Sequence, residues 1–479
     1  MKVSNVLYVL SRLWLILSVC LLLPLPFSFY YGDGLHYIYI FTAAGLSIIS
    51  AIFNRLINRP SELSTKEGFL TVSLSWISFS IIGSIPFIAS SSIPSITDAF
   101  FETISGFTTT GATILTDIEM LPKSILFWRN ITQWLGGMGV IALAVAILPL
   151  LGVGGFQLFK AEAPGPTKDK ISPRISETAK LLWFVYLLFT VLQTILLMLG
   201  GLSLFEALCI TFGTLATGGY APVNASIAAY PSPYIQYVII FFMLLAGINF
   251  NLHYRALRGS LGNYFKNPEF RFFIAVILLS TLIIIFVRVI NGTELSEDLF
   301  RGSLFQTISI ITTTGFITED YELWPFATQF ILLLLMFIGG CASSTGGSIK
   351  NIRIYVLFKF LGNQLKRLFY PRGVFPVKVG DKAVSDDIVS SIVAFIALYM
   401  LLFVAGVLVL TFLGINIDTS IGAVAATLGN IGPGIGDVGP VDNFAHMPKI
   451  AKWVLSFLML AGRLEIFTVL VLFSPRFWK

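Results

Sequence analysis

Ten stretches of apolar sequence run through this chain, at about 8–30, 36–54, 68–90, 127–150, 180–200, 234–256, 271–291, 326–358, 388–413 and 450–473. Each approaches or exceeds the roughly 20 residues a helix needs to cross bilayer hydrocarbon. Strands of a membrane barrel are about half that length and alternate in polarity, a pattern missing here. Of 479 residues, 56% are hydrophobic and 12% charged, about half the charged fraction of a soluble domain. A soluble globule has nowhere to put that apolar surface, and a disordered chain would not carry it. The fold class is an all-α polytopic membrane protein. Lys2 and Arg12 precede the apolar run Leu13 to Phe27, but Pro24, Pro26 and Tyr30 stand where a signal peptide would place a cleavage site. It therefore reads as a retained span.

The loops set the orientation. With the N-terminus inside, and cations near a span end counted with the nearer side, 24 Lys and Arg fall on the inner side and 6 on the outer side, with Arg463 alone near the middle of a span. Positive charge collects on the cytoplasmic side of membrane proteins, so both termini are expected there. The net charge of +6 is then a topology signal, and nucleic-acid binding is rejected. Cys20, Cys209 and Cys341 form no Cys-x-x-Cys pair, and His36, His253 and His446 are isolated, so no zinc or hydrolytic toolkit is visible. The chain is not expected to be an enzyme or to hold a covalent cofactor. Glycine-rich fragments at 152–155 and 429–436 follow no strand, which excludes a dinucleotide or phosphate loop. Any nucleotide control must come from another chain.

Four outer loops are too long for hairpins, and internal repetition explains them. Residues 100–112 and 304–316 match at eight of thirteen positions, including Thr108/Thr312, Thr109/Thr313, Thr110/Thr314 and Gly111/Gly315. Weaker copies lie at 211–220 and 427–434, which places Gly218 and Gly432 in register with Gly111. The spacings are 107, 97 and 117 residues. The helix after each loop carries a small-residue pair in step: Gly136-Gly137, Ala246-Gly247, Gly339-Gly340 and Ala461-Gly462. Each unit reads as helix, short half-helix, glycine-centred loop, helix. The flanking helices run the same way in every unit, so the repeats are parallel, about an axis along the membrane normal.

Four re-entrant loops around one axis make an ion pore. Irregular backbone at membrane depth is tolerated only where it lines a cavity or is buried in protein. A filter needs carbonyl oxygens that replace the hydration shell of the ion. Threonines followed by glycine suit this, because glycine takes backbone angles closed to other residues. The half-helix before each loop aims its negative C-terminal end at the cavity and favours a cation. Fifteen outer acids, Glu102 and Asp98 among them, against nine inner ones make an acidic mouth. The competing reading of one such motif is threonine-rich helix packing; fourfold recurrence weighs against it.

The segments 105–113, 134–139 and 339–350 carry a resemblance to the TrkH/KtrB/HKT superfamily of potassium transporters, closest to the TrkH branch, over essentially the whole chain. The resemblance implies a bacterial inner-membrane potassium-uptake subunit, working as a homodimer on a cytoplasmic, TrkA-like ring that binds nucleotides. K+ is the transported ion. The expected filter residues are Thr110, Gly111 and Ala112; Thr217, Gly218 and Gly219; Thr314, Gly315 and Phe316; and Ile431, Gly432 and Pro433. The fourth set lacks threonine, so the filter is not fourfold symmetric. The expected organisation is two N-terminal helices (1–66), repeat one (67–158), repeat two (176–258), repeat three (268–360), a basic cytoplasmic linker (361–384) and repeat four (385–479).

Gly339, Gly340, Ser343, Ser344, Thr345, Gly346, Gly347 and Lys350 resemble the family's gating loop. Four glycines in one helix weaken it, so an unwound intramembrane segment is expected at 339–350, with tight helix packing as the alternative. Arg463 is read as a positive barrier in the cation path, and an ion pair with Glu465 as its alternative. The basic stretch 350–382 suits anionic lipids and the partner ring. A Na+- or H+-coupled symporter is the competing function, with Glu465 as its one candidate intramembrane carboxylate.

Overall fold

The computed structural model of the chain describes residues 1–57, 64–146 and 175–479. Arg59, Lys160, Lys168, Lys170 and Arg174, the 152–155 fragment and the boundary at 158 lie outside the described residues.

The first span is α1 (Val3–Cys20) followed by α2 (Leu25–Tyr31), and α3 (His36–Leu56) returns against α1. Long helices α4 (Thr65–Ala89), α6 (Lys123–Ala146), α7 (Ile175–Leu199), α12 (Pro268–Ile290) and α16 (Asp386–Phe412) frame the rest. Helix α12 exposes Leu278, Leu279, Leu282 and Phe286, and α16 exposes Leu401, Val404, Leu408 and Phe412. Apolar side chains turned outward on helices of this length are what lipid requires.

Four short helices are buried inside this frame: α5 (Ile96–Phe107), α8 (Leu204–Leu215), α13 (Glu297–Ile311) and α17 (Ile417–Leu428). At 12 to 15 residues and about 1.5 Å per residue, none crosses a bilayer. Three begin on a serine cap, with Ser95, Ser203 and Ser296 accepting the N–H of Asp98, Glu206 and Leu299, which satisfies donors a helix start leaves unpaired. Their C-terminal halves are wholly buried, and so are the turns that follow, through residues 110, 218, 316 and 432.

Three expected spans differ from straight helices. At 234–256, α9 (Pro233–Gly247) and α10 (Phe250–Leu257) meet at a 104° bend. At 450–473, α18 (Lys449–Arg463) turns by 114° into the segment starting with α19 (Phe467–Leu470). The span 326–358 is helical only in α14 (Phe326–Leu335) and again from α15 (Asn351–Phe369), with 336–350 non-helical between them. By length and composition, six helices among the described residues suit a crossing, or eight if each bent pair counts as one. Helix α15 also runs past 360, so the expected linker at 361–384 begins as helix and ends in a two-residue hairpin pairing Lys378 with Ala383.

Candidate ion-conduction site

The four short helices end in turns with one backbone design. The N–H of Thr110, Gly218, Thr314 and Ile431 each donates, at 2.8 Å, to the carbonyl five residues back, on Ser105, Gly213, Ser309 and Ala426. The preceding residue has positive φ in every turn: Thr109 (50°), Thr217 (53°), Thr313 (60°) and Asn430 (54°). The following residue is a positive-φ glycine: Gly111 (86°), Gly219 (75°), Gly315 (78°) and Gly432 (103°).

This register shifts the second copy by one residue. Gly219, not Gly218, stands where Gly111 does, and Thr217-Gly218-Gly219 is offset against Thr110-Gly111-Ala112. Gln133 packs against this turn. Its Nε2 donates to the Gly218 carbonyl at 2.5 Å, and its Oε1 accepts the Tyr220 N–H at 3.0 Å. A Cβ on residue 218 would stand 2.5 Å from the Gln133 side chain, so a side chain at the position Thr110 fills in the first turn would require Gln133 to move.

The turns close on one another. A Cβ added to Gly111 would stand 2.1 Å from the Gly218 carbonyl oxygen, and one on Gly219 would stand 2.1 Å from that of Thr314. From Gly315 the Ile431 oxygen is 1.9 Å away, and from Gly432 the Thr110 oxygen is 2.8 Å away. Each glycine thus abuts the next turn's carbonyl, and the fourth returns to the first. Hydroxyls brace the two threonine-rich turns: Thr108 and Thr312 bond back to Ile104 and Ile308, and each sits 2.8 Å from the hydroxyl of Thr110 or Thr314. The fourth turn keeps the geometry without threonine because asparagine tolerates positive φ. Asn430 Nδ2 also donates to Thr110 Oγ1 at 3.0 Å and to the Met459 carbonyl at 2.9 Å. A cavity of about 170 Å³ opens on all four glycines, Gly111, Gly219, Gly315 and Gly432, with Ala112 and Pro433 in its wall. Phe316 is fully buried, and its carbonyl accepts the Ser309 hydroxyl at 2.7 Å.

The non-helical segment 336–350 lies against the same turns. Gly347 N–H donates to Thr313 Oγ1 at 2.6 Å, and Cβ atoms on Gly346 and Gly347 would stand 3.1 and 2.5 Å from the carbonyls of Thr312 and Gly429. The break in α9 leaves carbonyls without helical partners, and this segment supplies donors: Cys341 N–H to Gly247 at 2.8 Å and Thr345 Oγ1 to Ala246 at 3.2 Å. Ser343 has positive φ, and Ser344 bonds back to the Cys341 carbonyl. Two cations tie it down. Arg463 Nη1 donates to the Thr345 carbonyl at 2.6 Å, and Lys350 Nζ to that of Gly346 at 2.5 Å. Glu465 instead pairs with Arg353 at 2.6 Å, so the alternative ion pair for Arg463 is not what forms.

The paired small residues after each turn let helices approach turns. A Cβ on Gly136 would stand 2.1 Å from the Phe107 carbonyl, and one on Gly462 2.0 Å from that of Leu428. The third copy differs: Gly339 and Gly340 lie in the non-helical segment and face the carbonyls of Gly347 and Gly247.

The counted outer charges also need correcting. Of the six outer cations, Arg129 pairs with Glu102, Arg288 with Glu319, Arg301 with Glu297 and Asp298, and Lys452 with Asp98. Glu102 and Asp98 are bonded structural groups, and Glu102 is 1% exposed. Sequence reasoning also missed Glu269, whose Oε1 accepts the N–H of Ala342 at 2.7 Å and of Ile352 at 3.1 Å, spanning both sides of residues 343–351. Its one sequence signal is an acid beside an apolar span.

Residues 40–479 match the TrkH family, described as a cation transport protein. The Trk system potassium uptake protein TrkH of Salmonella typhimurium (strain LT2) is 44% identical over 480 residues, 98% of each chain. Its namesake in Escherichia coli (strain K12) is 46% identical over 425 residues, 87% of each chain. The crystal structure of the potassium transporter TrkH from Vibrio parahaemolyticus matches with a TM-score of 0.92 and 39% identity, over 100% of both chains. Similarity at that coverage, with helices long and apolar enough to cross a membrane, makes this a multi-pass membrane protein, and the chain belongs to the TrkH family of cation transport proteins.

Proposed function

We propose that the chain is the potassium-selective conducting subunit of a bacterial uptake system, carrying K+ inward down its electrochemical gradient. The two N-terminal helices (1–66) precede four parallel helix–loop–helix units (67–158, 176–258, 268–360 and 385–479) set about one central path. The observation that carries this reading is the closed ring of four identically bonded turns, each glycine against the next turn's carbonyl. Carbonyls in turns whose backbone N–H groups are tied to the preceding helix stand in for ion hydration, and four helix C-termini add negative potential. The ion ligands are the carbonyls around Thr110, Gly111 and Ala112, Gly218, Gly219 and Tyr220, Thr314, Gly315 and Phe316, and Ile431, Gly432 and Pro433.

The segment 339–350 with Arg463 acts as the gate beneath the ring, since Thr345, Gly346 and Gly347 touch the turns and are held by Arg463 and Lys350. Both termini face the cytoplasm of the inner membrane. The protein works as a homodimer, and the basic surface of 350–382 receives anionic lipids and a nucleotide-binding ring protein. Glu465, the carboxylate a proton-coupled route would use, is engaged by Arg353, which favours the uncoupled path. Fluxes of K+, Rb+, Na+ and Li+ into liposomes holding the purified protein test this reading; equal K+ and Na+ permeability overturns it.

A further inference from the structure

Behind the first two turns lies a buried charge pair. Glu102 sits in α5 and Arg129 in α6. Arg129 Nε meets Glu102 Oε1 at 2.7 Å, with the two side chains 2% and 0% exposed. The guanidinium lies 3.4 Å from the Tyr220 ring centroid, and its Nη1 donates to the Ala221 carbonyl at 3.1 Å. Glu102 accepts the Ile114 N–H at 2.9 Å and the Thr113 hydroxyl at 2.9 and 3.0 Å. The Tyr220 hydroxyl donates to the Glu102 carbonyl at 2.8 Å and lies 3.3 Å from that of Ala112.

These bonds converge on 112–114 and 220–221, the residues directly after Gly111 and Gly219, and Arg129 reaches the wall of the cavity above them. Removing one partner of a buried pair leaves the other charge uncompensated, so the pair and its hydrogen bonds tie the first turn to the second. In the register of the turns, the positions matching Glu102 are Ile210, Gln306 and Ala423, so this turn alone has a carboxylate there. A mobile carbonyl ring would adapt to a smaller ion; a pinned one does not.

We propose that Glu102 and Arg129 are positioning residues for ion selectivity, which fix the outer edge of the first and second turns and so set K+/Na+ discrimination. This rests on the reading that the turns form the filter. Bi-ionic reversal potentials in liposomes, with size exclusion and K+ flux as controls, test it in Arg129→Gln, Glu102→Gln, Arg129→Lys, Tyr220→Phe and the double Gln variant. The neutral single variants should lose about tenfold in K+/Na+ permeability ratio, equivalent to about 1.4 kcal/mol of discrimination. Arg129→Lys, which keeps the charge, should recover much of that loss, and the double variant should fall no further than the worse single one. Because a permeability ratio does not depend on how much protein inserts, general destabilisation leaves it unmoved. Wild-type ratios in conducting neutral variants overturn the proposal and leave the filter reading standing. If those variants fail to insert, Tyr220→Phe decides: a lowered ratio supports the proposal and an unchanged one overturns it. A wild-type protein that does not discriminate K+ from Na+ sinks the filter reading itself.

Discussion

Replacing Gly315 by serine puts a side chain where the ring has no room. The backbone there has φ +78°, and the new Cβ would stand 1.9 Å from the Ile431 carbonyl oxygen and 2.8 Å from Pro433 Cδ. The left-handed backbone costs an L-residue roughly 1–2 kcal/mol. The contact with Ile431 must also open from 1.9 Å to beyond 3.0 Å, and the Ile431 carbonyl moves because its turn carries the only atoms in the way at that distance. If strain of that size falls on the ion-binding geometry, K+/Na+ discrimination drops by roughly five- to thirtyfold. Gly432 provides a comparison. Its Cβ would meet the Thr110 oxygen only at 2.8 Å, but its φ of +103° is further from the left-handed well, so Gly432→Ser weighs backbone strain against direct overlap. The assay is the bi-ionic reversal potential of each purified variant in liposomes. A Gly315→Ser protein with the wild-type ratio would refute the ring as the selectivity element.

Three further outcomes follow from the same geometry. Deleting Gly346 and Gly347, or replacing Ser343, Ser344 and Thr345 with alanines, should raise K+ flux several-fold while the K+/Na+ ratio persists, if the segment is the proposed gate and obstructs the path without choosing the ion; unchanged or lower flux in inserted protein counts against a gate. Arg463→Ala removes the donor to the Thr345 carbonyl and, on the proposed gate reading, a positive barrier, so K+ flux should rise, with Arg463→Lys near wild type; equal flux in all three proteins ends the barrier role. In the loop before α3, burial opposes the charge of Asp33, but hydrogen bonds from Ser124, Ser28 and the Leu35 N–H outweigh it and hold the carboxyl below its ordinary value. Its contribution to stability is therefore complete above the usual carboxyl range and fades as pH falls through the lowered native value. Asp33→Asn should melt below wild type at neutral pH, with the gap closing in acid; a gap independent of pH refutes the assignment.

Much was legible in the sequence because lipid imposes a strict rule. A crossing helix needs about 20 apolar residues, so the spans at 8–30, 36–54, 68–90, 271–291 and 388–413 stand out. The threonine–glycine copies at 108–111 and 312–315 stood out because both turns need the same positive φ and the same hydroxyl braces. What the sequence left ambiguous were contacts between distant segments. Whether Gly218 or Gly219 answers to Gly111 is decided by the backbone bonds and φ of the folded turn, which Gln133, 85 residues from Gly218, contacts and which local pattern matching does not see. Asn430 looked like a departure from the motif until its bonds to Thr110 and Met459 were in view. Glu102 and Arg129 count as separate outer-side charges in sequence and are one buried pair in space. The bends after Gly247 and Arg463 are equally tertiary: apolar composition permits a straight helix, and the carbonyls a break leaves unbonded are stable only where another segment, here 336–350 at the Gly247 break, brings donors to them.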